Sequence, residues 1–169
     1  MESSLSFKVL SFSASSLWSL IEGGISAPKG FLASGIKAGL KISNKFDLAL
    51  VLAPKDAVCA GTFTQSLASA ACVDLSRERL KASGGYARAV LINSGQANAC
   101  TGNRGLIDSL QASLRLADLL SLKAEEVLIC STGVIGVPIP MENLLQGLEP
   151  LVNSLSCQGG KNAAKAILT

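Results

Sequence analysis

Histidine is absent from all 169 residues. Without an imidazole the chain can build neither a Ser–His nor a Cys–His nucleophile pair, nor any His-containing zinc site. Aromatic residues make up only 4%, so the core must be assembled from Leu, Val, Ile and Ala. The same shortage argues against a single-stranded nucleic-acid platform, which stacks bases on aromatic faces. Charged residues are 16%, and the net charge of +3 is spread as single Lys and Arg among acids. With no basic stripe, nucleic acid is not expected as a partner. No apolar run reaches the ~20 residues that span a bilayer, so no membrane partner is expected either. The five cysteines, Cys59, Cys72, Cys100, Cys130 and Cys157, form no C-x-x-C pair. Their odd number, wide spacing and apolar neighbours predict reduced, mostly buried thiols in a reducing compartment. A catalytic cysteine would have no histidine partner.

What is present is an apolar chain, 49% hydrophobic and 17.3 kDa, long enough for one domain with a real core. The start, MESSLSFKVLSFSASSLWSL, is rich in Ser and poor in acids. Residues 1–17 read either as an irregular arm or as a faint organelle transit peptide, and the domain as 18–169. The second reading places the protein in a chloroplast; cytoplasm and mitochondrion stay open.

The segment GGISAPKGFLASGIKAG (23–39) reads as loop and short irregular strand. Four runs then have strand character: FDLALVLA from Phe46, AVCAGTFT from Ala57, AACVDLS from Ala70 and ARAVLIN from Ala87. APKD and RERLKASGG supply turns between them. The first and last runs hardly alternate, which predicts a sheet covered on both faces. Apolar residues at helical spacing predict a long helix over 105–122 and a second from Met141. EEVLIC (125–130) reads as a buried strand between these helices, and a third helix is expected from Ala163. The order predicts an α/β architecture of helices layered on a mixed sheet. AAKAILT ends the chain without a Gly or Pro stop signal. So short a helix is marginal alone, and the terminus either docks on the body or belongs to a longer protein, the expectation favoured here.

Two loops could carry chemistry. NSGQANACTGNRG (93–105) gathers Asn93, Ser94, Gln96, Asn98, Thr101 and Asn103 at a strand end. Its amides could rim a polar small-molecule site, or simply satisfy a crossover loop. In ICSTGVIGVPIPM (129–141) the strand is expected to break at Ser131, Thr132 and Gly133. Neither loop fits a phosphate-binding template, and STGVIG runs into VPIP without opening a helix, so a nucleotide-binding domain is a weak alternative. An oxyanion hole, two donors about 3 Å from a developing negative oxygen, suits Thr132 and Gly133 better. A missing Cβ at Gly133 would let a substrate carbonyl approach the backbone. Arg77, Arg79, Lys123, Glu125 and Glu126 read as solvated surface charges, and Lys29 as structural in its loop.

GGISAPKGF (23–31), NSGQANACTG (93–102), STGVIG (131–136) and AAKAILT (163–169), with Trp18 and IEGG (21–24), occur in this order. In this the chain resembles the ornithine acetyltransferases, the glutamate N-acetyltransferases of the cyclic arginine pathway, over about residue 18 to the end. The resemblance implies the N-terminal part of a DmpA/ArgJ-like fold. It implies an enzyme that cuts itself between Ala and Thr and uses the freed threonine to carry acetyl from N-acetylornithine to glutamate. Some members also accept acetyl-CoA; no other cofactor and no metal is implied. Thr132 and Gly133 match the oxyanion hole, and Thr169 matches the first threonine of a substrate-contacting Thr-Thr-Asp. The rest of that motif, the cleavage site and the C-terminal (beta) chain, which pairs with this one in a heteromer of cleaved chains, are absent from the sequence. The fragment alone is therefore expected to be inactive or nearly so. The rival reading is a non-catalytic short form serving as a binding or regulatory subunit.

Overall fold

The structure, a computed structural model, describes residues 18–169. The arm or transit segment expected over 1–17 lies outside the described residues. The apolar run from Phe46 forms its strand, Leu48–Leu52 (β2), and pairs antiparallel with Leu32–Ile36 (β1) on one side and Ala89–Gln96 (β3) on the other. β3 then pairs in parallel with Val127–Val134 (β4), giving a four-stranded mixed sheet in the order β1-β2-β3-β4. A parallel neighbour needs a long crossover, and the helix Gly102–Leu120 (α2) supplies it. The remaining helices are Ala71–Ala82 (α1), Met141–Asn153 (α3) and Gly160–Ala166 (α4).

Alternation along the strands divides the interior. Leu48, Leu50, Leu91, Val127 and Ile129 face one way and pack with Cys72 of α1, Leu116 of α2 and Leu144, Leu148 and Leu151 of α3. The opposite face is thinner: Ala33 and Ala49 meet Ala163 and Ala166 of α4. Small residues let α4 lie almost on the backbone. A Cβ on Gly35 would overlap the Asn162 carbonyl and stand 2.8 Å from the Ala163 nitrogen. Helices on both faces of a mixed sheet are the α/β layering expected.

Several local expectations are corrected. AACVDLS is helix, not strand, because Cys72, Leu75, Ser76, Arg79 and Leu80 are buried at a helical period. RERLKA, taken for a turn, continues α1. Residues 57–64 form no strand; Val58 is exposed, and Cys59 N–H bonds to the Gly85 carbonyl (2.7 Å) outside any ladder. β4 does not stop at Ser131 but runs through Val134, α2 starts at Gly102, and α4 starts at Gly160. Cys72 is the buried thiol among the described residues, whereas Cys100, Cys130 and Cys157 are exposed.

Candidate active site

The site lies at the C-terminal ends of β3 and β4, where Asn93, Ser94 and Gly95 sit beside Ser131, Thr132 and Gly133. The period of two sends Ser131 to the face covered by α1 and α2, and Thr132 to the face that carries α4. On the first face the Ser131 hydroxyl donates to Asn93 Oδ1 (2.6 Å), and Asn93 Nδ2 donates to the Gln96 carbonyl (3.0 Å). The Cys72 thiol lies against Ser131, and burial pushes its pKa up. On the second face the Ser94 hydroxyl donates to the Ala166 carbonyl, tying the end of α4 to β3.

Beside these ties lies an open cavity of about 390 Å³ lined by Lys41, Gly95, Thr132, Gly133, Val134 and Thr169. All three residues singled out in the sequence thus border one space, although Thr169 is 36 positions or more from the others in the chain. Thr132 is half-buried, and no described residue hydrogen-bonds its hydroxyl. The Val134 carbonyl accepts from Ala97 N–H (2.9 Å), so alternate β4 peptides face β3. Ladder alternation then turns the Gly133 N–H toward the open edge of the sheet. A hydroxyl and an amide without partners of their own, beside each other at a strand end, can stabilise a negative oxygen.

Gly133 has a structural reason to be glycine in addition to the one expected. Its φ is +134°, and a Cβ there would overlap the Gly95 carbonyl and stand 2.7 Å from the Gln96 nitrogen. The neighbouring strand by itself already excludes a side chain there.

The first half of the amide loop is likewise internal, whereas Asn103 is exposed. Asn98 is buried; its Nδ2 donates to the Gly105 carbonyl (3.0 Å) and to Ser109 Oγ (2.8 Å), and its Oδ1 accepts from Thr101 (2.9 Å). Asn93, Ser94 and Gln96 are buried as well, so they form the scaffold of the crossover and not the rim of a site. Gln96 Nε2 donates to the Leu40 carbonyl (2.8 Å), while its buried Oε1 has no partner.

Lys41 was not singled out by the sequence. Buried Asp47 accepts from the backbone N–H groups of Ala38 (2.6 Å), Leu40 (2.7 Å) and Lys41 (3.1 Å), which fixes the 38–41 turn. Lys41 Nζ then donates to the carbonyls of Phe46 (3.2 Å) and Leu168. Only the aspartate in NKFDLAL hinted at this, as a charge inside an apolar strand run.

Away from the site, Arg79 is buried, not solvated. It donates to the Val127 carbonyl (2.7 Å), burial lowers its pKa, and Glu125 opposes that shift. Glu126 caps its own turn by accepting from Lys123 N–H (2.7 Å).

Comparisons with known proteins agree with this architecture. The ArgJ family matches residues 32–169. The chain is 68% identical over 152 residues to "Arginine biosynthesis bifunctional protein ArgJ" of Parasynechococcus marenigrum, covering 90% of this chain and 37% of that protein. The protein of the same name from Prochlorococcus marinus strain MIT 9313 is 67% identical over 166 residues, 98% of this chain and 39% of that protein. The chain therefore spans well under half the length of these relatives. Among solved structures, the ornithine acetyltransferase of Mycobacterium tuberculosis, complexed with ornithine, superposes with a TM-score of 0.82 at 41% identity, covering 87% of this chain and 79% of that one. The bifunctional protein argJ of Bacillus halodurans gives a TM-score of 0.80 at 33% identity, covering 87% and 76%. With the family's pattern matching residues 32–169, most of this chain, and the fold shared, the chain belongs to the ArgJ family.

Proposed function

We propose that this chain is the N-terminal part of an acyltransferase of arginine biosynthesis that moves acetyl from N-acetylornithine, or from acetyl-CoA, to glutamate. Thr132 and Gly133 hold the oxyanion of the tetrahedral intermediate, and Thr169 contacts the substrate. The nucleophile is a threonine of the C-terminal chain, freed by self-cleavage and activated by its own α-amine. The observation that carries this reading is the cavity that joins Thr132, Gly133 and Thr169. The lengths of the relatives support the cleavage: this chain covers 79% of the matched solved chain but 37% of the curated relative, so that solved chain is far shorter than the relative.

The test is kinetic, on an enzyme made of this chain followed by the continuation its relatives have. Thr132→Ala should lower kcat about 10²–10³-fold with little change in KM, the size expected for one lost oxyanion donor. The 169-residue chain alone should transfer acetyl at most at a trace rate, because hole and binding without a nucleophile leave only a remnant of catalysis. Full kcat in Thr132→Ala would falsify the assignment of the hole.

A further inference from the structure

Helix α2 carries an apolar stripe that the fold leaves open. Its inner side enters the core through Ala112, Leu116 and Ala117. Leu106, Ile107, Leu110 and Leu114 face away from that core and are 36–60% exposed. At 100° per residue the four fall within an arc of about 100°. Arg104 and Asp118 stand on one flank of the stripe, and both oppose the dipole of their own helix: the cation sits in the first turn and the anion in the last. They are about 21 Å apart along the axis, too far to neutralise each other within one chain. Arg104 lies 3.7 Å from buried Asp108, whereas Asp118 enters no ion pair among the described residues.

We infer that this stripe is a self-association surface, occupied by α2 of a second copy of the chain, antiparallel about a two-fold axis near Leu110. Such an isologous contact presents one patch to itself. Ile107 then faces Leu114 of the second copy, and Leu110 meets its own counterpart. In that register Arg104 falls level, to within about 3 Å, with Asp118 of the second copy. The two-fold axis keeps both charged flanks on the same side, so cation and anion meet. Charges misplaced on the lone helix are thus well placed in the pair, each cation at the negative end of the other helix and each anion at the positive end. Arg115, one turn before Asp118, adds a second guanidinium beside that carboxylate. A covering segment of unrelated sequence would have no reason to compensate both ends at once. The stripe lies on the side of the sheet opposite α4 and stands apart from the acyl-transfer reading.

Sedimentation velocity on the 169-residue chain should show a monomer–dimer equilibrium with a Kd of about 1–100 μM, in keeping with a small interface. Ile107→Glu/Leu114→Glu should weaken it about tenfold or more. Its melting midpoint, read at dilutions where the parent is also monomeric, should stay put, because both side chains are already in water. Arg104→Glu and Asp118→Arg should each weaken pairing about tenfold alone, since each sets like charges opposite one another twice. An equimolar mixture of these two should pair as tightly as the parent, because the mixed dimer restores both contacts. In the enzyme with its continuation, Leu110→Cys should form a disulfide between copies on mild oxidation, and the parent none. The inference is overturned if the parent stays monomeric at about 1 mM, if the glutamate variant dimerises like the parent, or if the mixture gains nothing over its components. Failure of Leu110→Cys to crosslink overturns it too, and protection of that thiol from a maleimide would identify the continuation as the occupant.

Discussion

Replacing Gly133 by Ala separates two explanations of the same glycine. If the missing Cβ serves an incoming carbonyl, Gly133→Ala folds normally and loses activity. The structure says otherwise: the new Cβ would overlap the Gly95 carbonyl and stand 2.7 Å from the Gln96 nitrogen, at φ +134°. The backbone strain costs about 1–3 kcal/mol. Relieving the overlap means parting β3 from β4 at their ends, at about 1 kcal/mol for each of the ladder bonds on either side. The sum is about 3–5 kcal/mol, a large fraction of the ~5–15 kcal/mol that holds a domain together. With a urea m-value of about 1–3 kcal/mol/M, the unfolding midpoint should fall by ~2 M. Gly136→Ala is the matched control: its φ is +77°, but a Cβ there meets nothing within 4 Å. It should lose only the strain, about 1 kcal/mol, in the same assay. Equal losses in the two variants, or an unmoved midpoint for Gly133→Ala, would refute the close-approach argument.

Asn93→Ala should destabilise the chain by about 1–3 kcal/mol, because it orphans the Ser131 hydroxyl and the Gln96 carbonyl together; urea denaturation measures this. Asp108 is buried in α2, and burial pushes its carboxyl pKa up against the opposing pull of Arg104, 3.7 Å away. A carboxyl that holds its proton more tightly when folded costs stability as pH rises through that range. Asp108→Asn should thus raise Tm at neutral pH, and the gain should vanish in acid where both states are protonated. A native-state pulse of a maleimide should label Cys100 and Cys157 while sparing buried Cys72, whose thiol burial also holds in its protonated form; peptide mass spectrometry reads the order.

The parts that could be read in the sequence are those where one physical cause dominates. FDLALVLA and ARAVLIN became β2 and β3 because apolar runs of that length have few other solutions, and the Leu spacing after Gly102 and Met141 left no doubt about helix. Misreadings arose where two causes compete. AACVDL has β-like residues but a helical set of buried positions, and that set shows only when Arg79, a charged residue, is counted as buried. STG looks like a strand exit, yet its register against β3 keeps it in the sheet, and register is a property of two segments together.

Lys41 shows the same limit at the site itself. Nothing in KAGLKISNKFD distinguishes it from Lys37 or Lys45 as a string of letters. What selects it is Asp47, 0% exposed, whose carboxylate gathers the amides of the turn and so aims this one side chain at the carbonyl before Thr169. A buried charge must be fully hydrogen-bonded, so an aspartate that opens a core strand demands a turn folded around it. The chemistry of the site therefore begins one layer below its lining. Ser131 bonded to Asn93 sets β4, Ser94 bonded to Ala166 sets α4, and Asp47 sets Lys41. Thr132 and Thr169 border one cavity because those three anchors fix the segments that carry them.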